Sequence, residues 1–219
     1  MNTNQLPIIS IVTPSYNQGS YLEETILSVL EQGYPALEFF IFDGGSTDGS
    51  LDIIQKHQDQ LTFWESKPDR GQSHAINKGF RMASGEIVAW LNSDDLLAPG
   101  ALKVVAQAWQ KNPRLGLISG QTEIIDQAGK PTGNVFGSEP NVINSLLSSE
   151  NPVSQPSTFF STSALKEVGF LDETLHMSMD WDLWLRIGAR YPMLFITKIL
   201  SKSRTWEMTK TRTQLVRSG

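Results

Sequence analysis

An α/β fold built on a mainly parallel central sheet flanked by helices is predicted by three features of the 219-residue chain. Short β-branched or aromatic runs alternate with amphipathic helical stretches from residue 8 to residue 119. Gly, Pro, Ser and Asn punctuate the joins, as turns between elements require. A repeat of strand, helix and strand winds right-handedly and covers both faces of its sheet. Ligands of such sheets bind beyond the carboxyl ends of the strands, so the segments following each strand carry the functional expectation.

The first strand is the β-branched run at residues 8–12, followed by the loop Thr13-Pro14-Ser15-Tyr16-Asn17-Gln18-Gly19. Ser20 with Glu23 reads as a capping box, opening a helix whose apolar face is Leu22, Ile26, Val29 and Leu30. Residues 38–42 give a buried second strand, 46–57 a helix opened by small polar caps, and 61–64 a third strand. The next helix covers 72–83 and is closed by Gly85, the usual role of glycine past a helix end. Residues 87–91 are the fourth strand. Pro99 then starts a helix that runs to Lys111 with Leu102, Val105, Ala106 and Trp109 inward, and residues 115–119 are the fifth strand. After Gly120 the alternation stops. Residues 121–125, an Asp126-Gln127-Ala128-Gly129 turn and a Gly-, Pro- and Ser-rich stretch to Ser157 predict a hairpin and a long functional loop. A last helix starts at Asp180, with Trp181, Trp184, Leu185 and Gly188 on its packed face.

Composition narrows the function. No apolar run approaches the roughly 18 residues of a membrane span, and residues 1–5 lack the regions of a signal peptide, so the cytoplasm is the expected location. The chain has no cysteine, which removes disulfides, thiolate nucleophiles and thiolate metal sites. Net charge is −5, yet Lys198, Lys202, Arg204, Lys210, Arg212 and Arg217 face only Glu207 beyond residue 197. The rest of the chain is therefore acidic, which argues against a nucleic-acid binder, whose affinity rests on neutralising phosphates. The basic end reads as a solvated terminus or as a peripheral contact for anionic lipid.

The most telling segment is Val88-Ala89-Trp90-Leu91-Asn92-Ser93-Asp94-Asp95, an apolar strand that ends in two adjacent carboxylates. Neighbouring anions repel and each loses solvation on burial, so the pair calls for a positive partner. A hard divalent cation carrying a diphosphate meets that need; a helix cap is the plainer alternative, although Pro99 sets the helix start late for either residue. Asp43-Gly44-Gly45-Ser46-Thr47-Asp48-Gly49 lacks the lysine of a Walker motif and the spacing of a dinucleotide fingerprint. Its glycines let backbone approach a flat ligand while Asp43 accepts a base N–H, or the segment is turn and cap alone. Asp180 reads as a helix N-cap or as a functional carboxylate. His57, His74 and His176 show no metal spacing.

Five ordered motifs carry a resemblance that none carries alone. They are Ile11-Val12-Thr13-Pro14-Ser15-Tyr16-Asn17, Phe42 to Gly49, Gly71-Gln72-Ser73-His74-Ala75-Ile76-Asn77-Lys78-Gly79, Leu91-Asn92-Ser93-Asp94-Asp95, and Met179-Asp180-Trp181-Asp182-Leu183-Trp184-Leu185-Arg186. From residue 8 to about residue 190 the chain resembles glycosyltransferase family 2, inverting enzymes of the GT-A fold. The resemblance implies that Thr13, Pro14, Tyr16 and Asp43 surround the nucleotide base, usually uracil. It implies donor-binding roles for Gln72 and Asn77, places Asp94 at the ribose edge, and gives Asp94 and Asp95 the metal-bound diphosphate, with Mg2+ or Mn2+ as the cation. Asp180 becomes the general base. On this reading one domain covers 1–219, with a nucleotide-sugar-binding half at 1–119, an acceptor and catalytic-base half at 120–200 and a basic tail at 201–219. The implied activity moves a sugar from a UDP-sugar to a glycan or lipid-linked acceptor in polysaccharide biosynthesis.

Three positions depart from the family pattern. Asn92 stands where many relatives have Asp, Met179 where an acidic residue often precedes the base, and Trp206 where many carry a histidine. They keep open a nucleotide-sugar-binding protein without turnover. A nucleotidyltransferase would want a phosphate-gripping Gly-rich loop after the first strand, and Pro14-Ser15-Tyr16-Asn17-Gln18 does not supply one.

Overall fold

The computed structural model describes residues 5–143, 151–175 and 177–205. Its first half contains β1 (Ile9–Ser15), α1 (Gly19–Leu30), β2 (Leu37–Asp43), α2 (Ser50–His57), β3 (Phe63–Ser66), α3 (Gln72–Met82) and β4 (Ile87–Trp90). Then come β5 (Leu96–Leu97), α4 (Ala101–Lys111), β6 (Leu117–Ile125), β7 (Pro131–Phe136), β8 (Thr158–Ser161), α5 (Thr162–Val168), α6 (Met179–Gly188) and β9 (Met193–Arg204). One sheet runs in the order β3-β2-β1-β4-β8-β6-β9-β5, with β7 paired to β6.

The first four strands in that order pair in parallel, as crossover helices require. Beyond β4 the sheet is mixed. β8 runs antiparallel to β4 and β6, β9 parallel to β6, and β5 and β7 antiparallel to their neighbours. A mainly parallel sheet thus describes the first half, while the short β6–β7 hairpin brings antiparallel pairing into the second.

Alternate residues of each strand feed two cores. Ile9, Ile11 and Ile41 pack with Leu22, Ile26 and Val29 of α1 and with Leu102, Val105 and Trp109 of α4. On the opposite face Val12, Phe40, Phe42 and Val88 meet Ile76 and Phe80 of α3 and Leu183, Trp184 and Ile187 of α6. Trp90, Phe160 and Trp184 stack on one another with ring centroids 5.2 to 5.7 Å apart. That stack seats α6 against β4 and β8, which fixes where Asp180 can lie. Helix α3 lies directly on β1, because a Cβ on Gly79 would sit 2.5 Å from both Val12 methyls.

Several local expectations change. Helix α1 has no side-chain cap; the Gly19 N–H donates to Asp48 Oδ2 at 2.8 Å, and Glu23 instead pairs with Lys56 and His57. Helix α2 starts at Ser50 and not at residue 46, since Ser46 is held by Asp43 while Asp48 binds the Ser50 N–H and hydroxyl. Pro99 precedes its helix, whose cap is Gly100 at φ 76°. Gly85 is not the helix end: α3 is capped at Ala83, and a Cβ at residue 85 would lie 2.4 Å from Ser10 Oγ. The expected fifth strand and first hairpin arm are the single strand β6, so the 119/120 boundary falls inside a strand. Strand β9 reaches Arg204, so the residues from 201 complete the sheet before any tail begins. Asp180 is the second residue of α6, and Ser178 occupies the cap in the left-handed region at φ 56°. Trp184 is buried as expected, but Trp181 and Leu185 are only partly so. Among the described residues no helix is long and apolar enough to cross a membrane.

Replacing Gly79 by alanine should lower stability by about 1–3 kcal/mol, the usual cost of forcing an extra carbon into a packed core. Urea unfolding measures it. An unchanged midpoint would mean that α3 moves away from β1 without loss.

Candidate active site

The segments at the carboxyl ends of β1, β2, β3 and β4 line one cleft together with the start of α6. Pro14, Ser15 and Tyr16 line it from β1, Gly44 from β2, Pro68 and Asp69 from the β3 connection, and Gln72 from α3. Asn92, Asp94, Asp95, Gln155, Asp180 and Arg204 complete it. Tyr16 is 63% exposed. A Cβ at Gly44 would lie 3.2 Å from both the Tyr16 ring and Asp69 Oδ2, so the glycine leaves a narrow slot between them.

Three residues assigned to ligand binding stand behind this lining. Thr13 is fully buried, with no partner for its hydroxyl. Asp43 is buried and accepts from the Gly45 and Ser46 N–H groups at 3.1 and 2.8 Å and from the Ser66 hydroxyl at 2.6 Å. It also accepts from the Ser46 hydroxyl. Its carboxylate thereby shapes the turn that presents Gly44. Asn77 lies out of the cleft: its Nδ2 donates to the Leu171 carbonyl at 2.9 Å and to Glu173 at 3.1 Å, while its Oδ1 accepts from the Leu171 N–H at 3.1 Å. A buried amide committed on both sides is a clamp on the segment before α6, and Asn77 is not among the residues that line the cleft.

The acidic pair divides into an inner and an outer member. Asp95 is 4% exposed. It accepts from the Arg204 N–H and from Asn92 Nδ2, both at 3.2 Å, and from the Ser203 hydroxyl. Burial, reinforced by the neighbouring charge of Asp94, pushes its carboxyl up to about 7. Asp94 is partly exposed to the cleft, and its carbonyl accepts from Arg204 Nε at 3.2 Å. The Arg204 guanidinium is spent elsewhere, on Glu24 Oε2 at 2.5 Å, on the Gln127 carbonyl at 2.9 Å and on the Tyr21 ring at 4.7 Å. Two adjacent carboxylates, one buried and one at the cleft surface, offer hard oxygen donors of the kind that Mg2+ or Mn2+ takes. No cluster of three or more metal-ligating residues occurs among the described residues, and a bound diphosphate would itself add oxygen ligands.

Asp180 lines the same cleft and is partly exposed. Burial raises its carboxyl above the ordinary range, against the pull of the N–H groups at the helix start. Met179 beside it is buried and takes the Ser73 hydroxyl on its sulfur at 2.6 Å, joining α6 to α3. Trp206 and His176 lie outside the described residues. Sequence reasoning missed Asp69 and Gln155; Ser203 and Arg204 open the segment around Trp206 that resembles the family's stretch near the donor phosphate, but their charge and polarity read as part of a basic tail.

The motifs, the sheet order and the cleft agree with comparison to known proteins: the model of "Glycosyl transferase family 2" matches residues 10–169. The chain belongs to glycosyltransferase family 2. A poly-β-1,6-N-acetyl-D-glucosamine synthase of Staphylococcus epidermidis is 31% identical over 192 residues, covering 83% of this chain and 47% of that protein. The chain thus spans about half the length of this family relative. S. aureus TarS in complex with UDP-GlcNAc shares the fold with a TM-score of 0.74 at 20% identity, over 92% of this chain and 60% of that one. The mannosyltransferase PcManGT of Pyrobaculum calidifontis, in complex with GDP-Man and Mn2+, gives 0.72 at 18% identity over 99% and 62%.

Asp95 and Asp180 both keep their protons to higher pH in the fold than in the unfolded chain. The folded state therefore binds more protons from about pH 4 upward, and the stability this confers is lost as pH rises through the folded value of Asp95, near 7. Glu23 and Glu65, held low by hydrogen bonds to Lys56 and Lys78, act below that window. With chelator present, the melting temperature should fall from about pH 5 to about pH 8, and Asp95→Asn should flatten the fall. A melting temperature that climbs over this range contradicts the assignment.

Proposed function

We propose that this family 2 chain is the donor-binding and catalytic unit of a metal-dependent inverting glycosyltransferase that uses a UDP-sugar. One observation carries the reading: Asp94 and Asp180, the latter with its carboxyl raised by burial, line the same cleft. An acceptor hydroxyl attacks the anomeric carbon from the face opposite the leaving diphosphate, so the carboxylate that takes its proton stands across from the group that holds the diphosphate. Asp180, on a helix start pinned by the tryptophan stack, takes that proton. Tyr16, Gly44 and Asp69 enclose the base, with Asp43 holding their turn. Asp94 and Asp95 hold the cation, which when bound neutralises the charge of the departing diphosphate. A glycan or lipid-linked acceptor belongs to the same reading, as does placement at the cytoplasmic membrane surface. The acceptor is supported by the name of the staphylococcal relative, a polysaccharide synthase.

UDP should bind in the presence of Mn2+ or Mg2+, and Asp94→Ala should abolish the cation-dependent part of the affinity. Calorimetry with and without chelator decides it, and equal binding in both conditions sinks the metal-diphosphate assignment. Asp180→Asn retains shape and should retain UDP affinity and melting temperature, while transfer falls by about 100- to 10,000-fold. Near-normal transfer by that variant would remove Asp180 as the base. UDP binding without transfer or slow donor hydrolysis by the unaltered protein would favour a binding protein over an enzyme.

A further inference from the structure

A chain of amides lines the cleft that Asp94 and Asp180 share. Gln72 Nε2 donates to Asn92 Oδ1 at 2.7 Å. Asn92 Nδ2 donates to Gln155 Oε1 at 2.8 Å and to Asp95 Oδ2 at 3.2 Å. Gln155 Nε2 donates to the Trp90 carbonyl at 2.9 Å. The direction of every bond is dictated from the Trp90 end. A backbone carbonyl only accepts, so Gln155 must turn its NH2 to Trp90 and its oxygen to Asn92. Asn92 must then offer its NH2 to Gln155, the same NH2 reaches Asp95, and its oxygen is left for Gln72.

Gln155 itself is held rigidly. It opens the 3-10 turn Gln155–Ser157, and the serines at 154 and 157 enter a buried knot of hydroxyls. Thr122 Oγ1 lies 2.5 Å from Ser154 Oγ, 2.7 Å from Ser157 Oγ and 2.9 Å from Ser201 Oγ. Ser157 Oγ also donates to the Gln121 carbonyl at 2.7 Å. The turn cannot shift relative to β6 and β9 without leaving buried hydroxyls unpaired.

We propose that Gln155 is a positioning residue that fixes Asn92 as the hydrogen-bond donor to Asp95, and that this is why residue 92 is an amide in this chain. The inference rests on the reading of the acidic pair as the cation and diphosphate site. A carboxylate at residue 92 would set its oxygens against Gln155 Oε1 and Asp95. Turning the Gln155 amide to relieve the first contact would aim its oxygen at the Trp90 carbonyl. Counting charges alone says that Asn92→Asp strengthens cation binding; the amide chain says that it weakens it.

Two measurements that need no turnover test this on the full chain: calorimetry of Mn2+-dependent UDP binding, and hydrogen exchange of the Asn92 side-chain NH2 by NMR. Gln155→Met keeps the side-chain length, and its melting temperature, measured beside the parent's, separates loss of the fold from loss of positioning. It should lose protection of the Asn92 NH2 and weaken Mn2+-dependent UDP binding by about tenfold, the lower range for a residue that orients a metal ligand, with cation-free binding unchanged. Asn92→Asp should weaken Mn2+-dependent binding when Gln155 is present and do so less in the Gln155→Met background. Tighter Mn2+-dependent binding by Asn92→Asp with Gln155 present overturns the proposal, and so does an Asn92 NH2 still protected in Gln155→Met. Should the methionine variant not fold, Asn92→Asp decides alone. If the unaltered protein shows no Mn2+-dependent UDP binding, the reading of the cleft has failed, and the exchange measurement still decides whether Gln155 orients Asn92.

Discussion

Burying Asp95 is the constraint on which the rest of the cleft depends. A carboxylate at 4% exposure has to be surrounded by donors, and they come from two distant parts of the chain. Asn92 reaches it from its own loop, while Ser203 and the Arg204 N–H reach it from β9. Thr25 of α1 grips its carbonyl at 2.8 Å. The last strand is therefore drawn across the end of β4, where β5 pairs with it over Leu96 and Leu97. Sheet order, the path of β9 and the placing of Asp94 at the cleft surface follow from satisfying one buried group.

Charge is partitioned around that group. Arg204 brings a buried cation to within hydrogen-bonding distance of the Asp94 backbone, but directs its guanidinium to Glu24 and Tyr21. The raised carboxyl of Asp95 registers the cost of its burial, added to by the neighbouring charge of Asp94. The neighbouring floor is neutral. Met179, in place of an acid, fills the core beside Ser73 and leaves Asp180 as the carboxylate of its turn that lines the cleft.

Much of the first half was legible because its strands are apolar runs between clear turn residues, and a parallel sheet sends its functional loops to one edge. Asp43-Gly44, Asn92 to Asp95 and Asp180 were all readable as positions. Their roles were less so. Asp43 reads as a free acceptor in sequence, yet the serines at 46 and 66 and two backbone N–H groups occupy it. Asn77 sits in a motif that points to the donor, but its side chain is taken by Leu171, ninety-four residues away. β9 escaped notice because its polar residues, Lys198, Lys202 and Arg204, looked like a basic tail, whereas Lys202 pairs with Glu123 and Arg204 is 3% exposed. Gln155 carries no local signal at all; its importance arises only when the 3-10 turn meets the end of β4.

The most direct test of the central claim is a crystal structure with UDP and Mn2+, with anomalous scattering measured at the manganese edge. The expected result is one anomalous peak bonded to a carboxylate oxygen of Asp94 and to the diphosphate, with the uracil ring between Tyr16 and the Asp69 loop. Manganese bound away from the Asp94-Asp95 pair, or a nucleotide outside the carboxyl edge of β1 and β4, would contradict it.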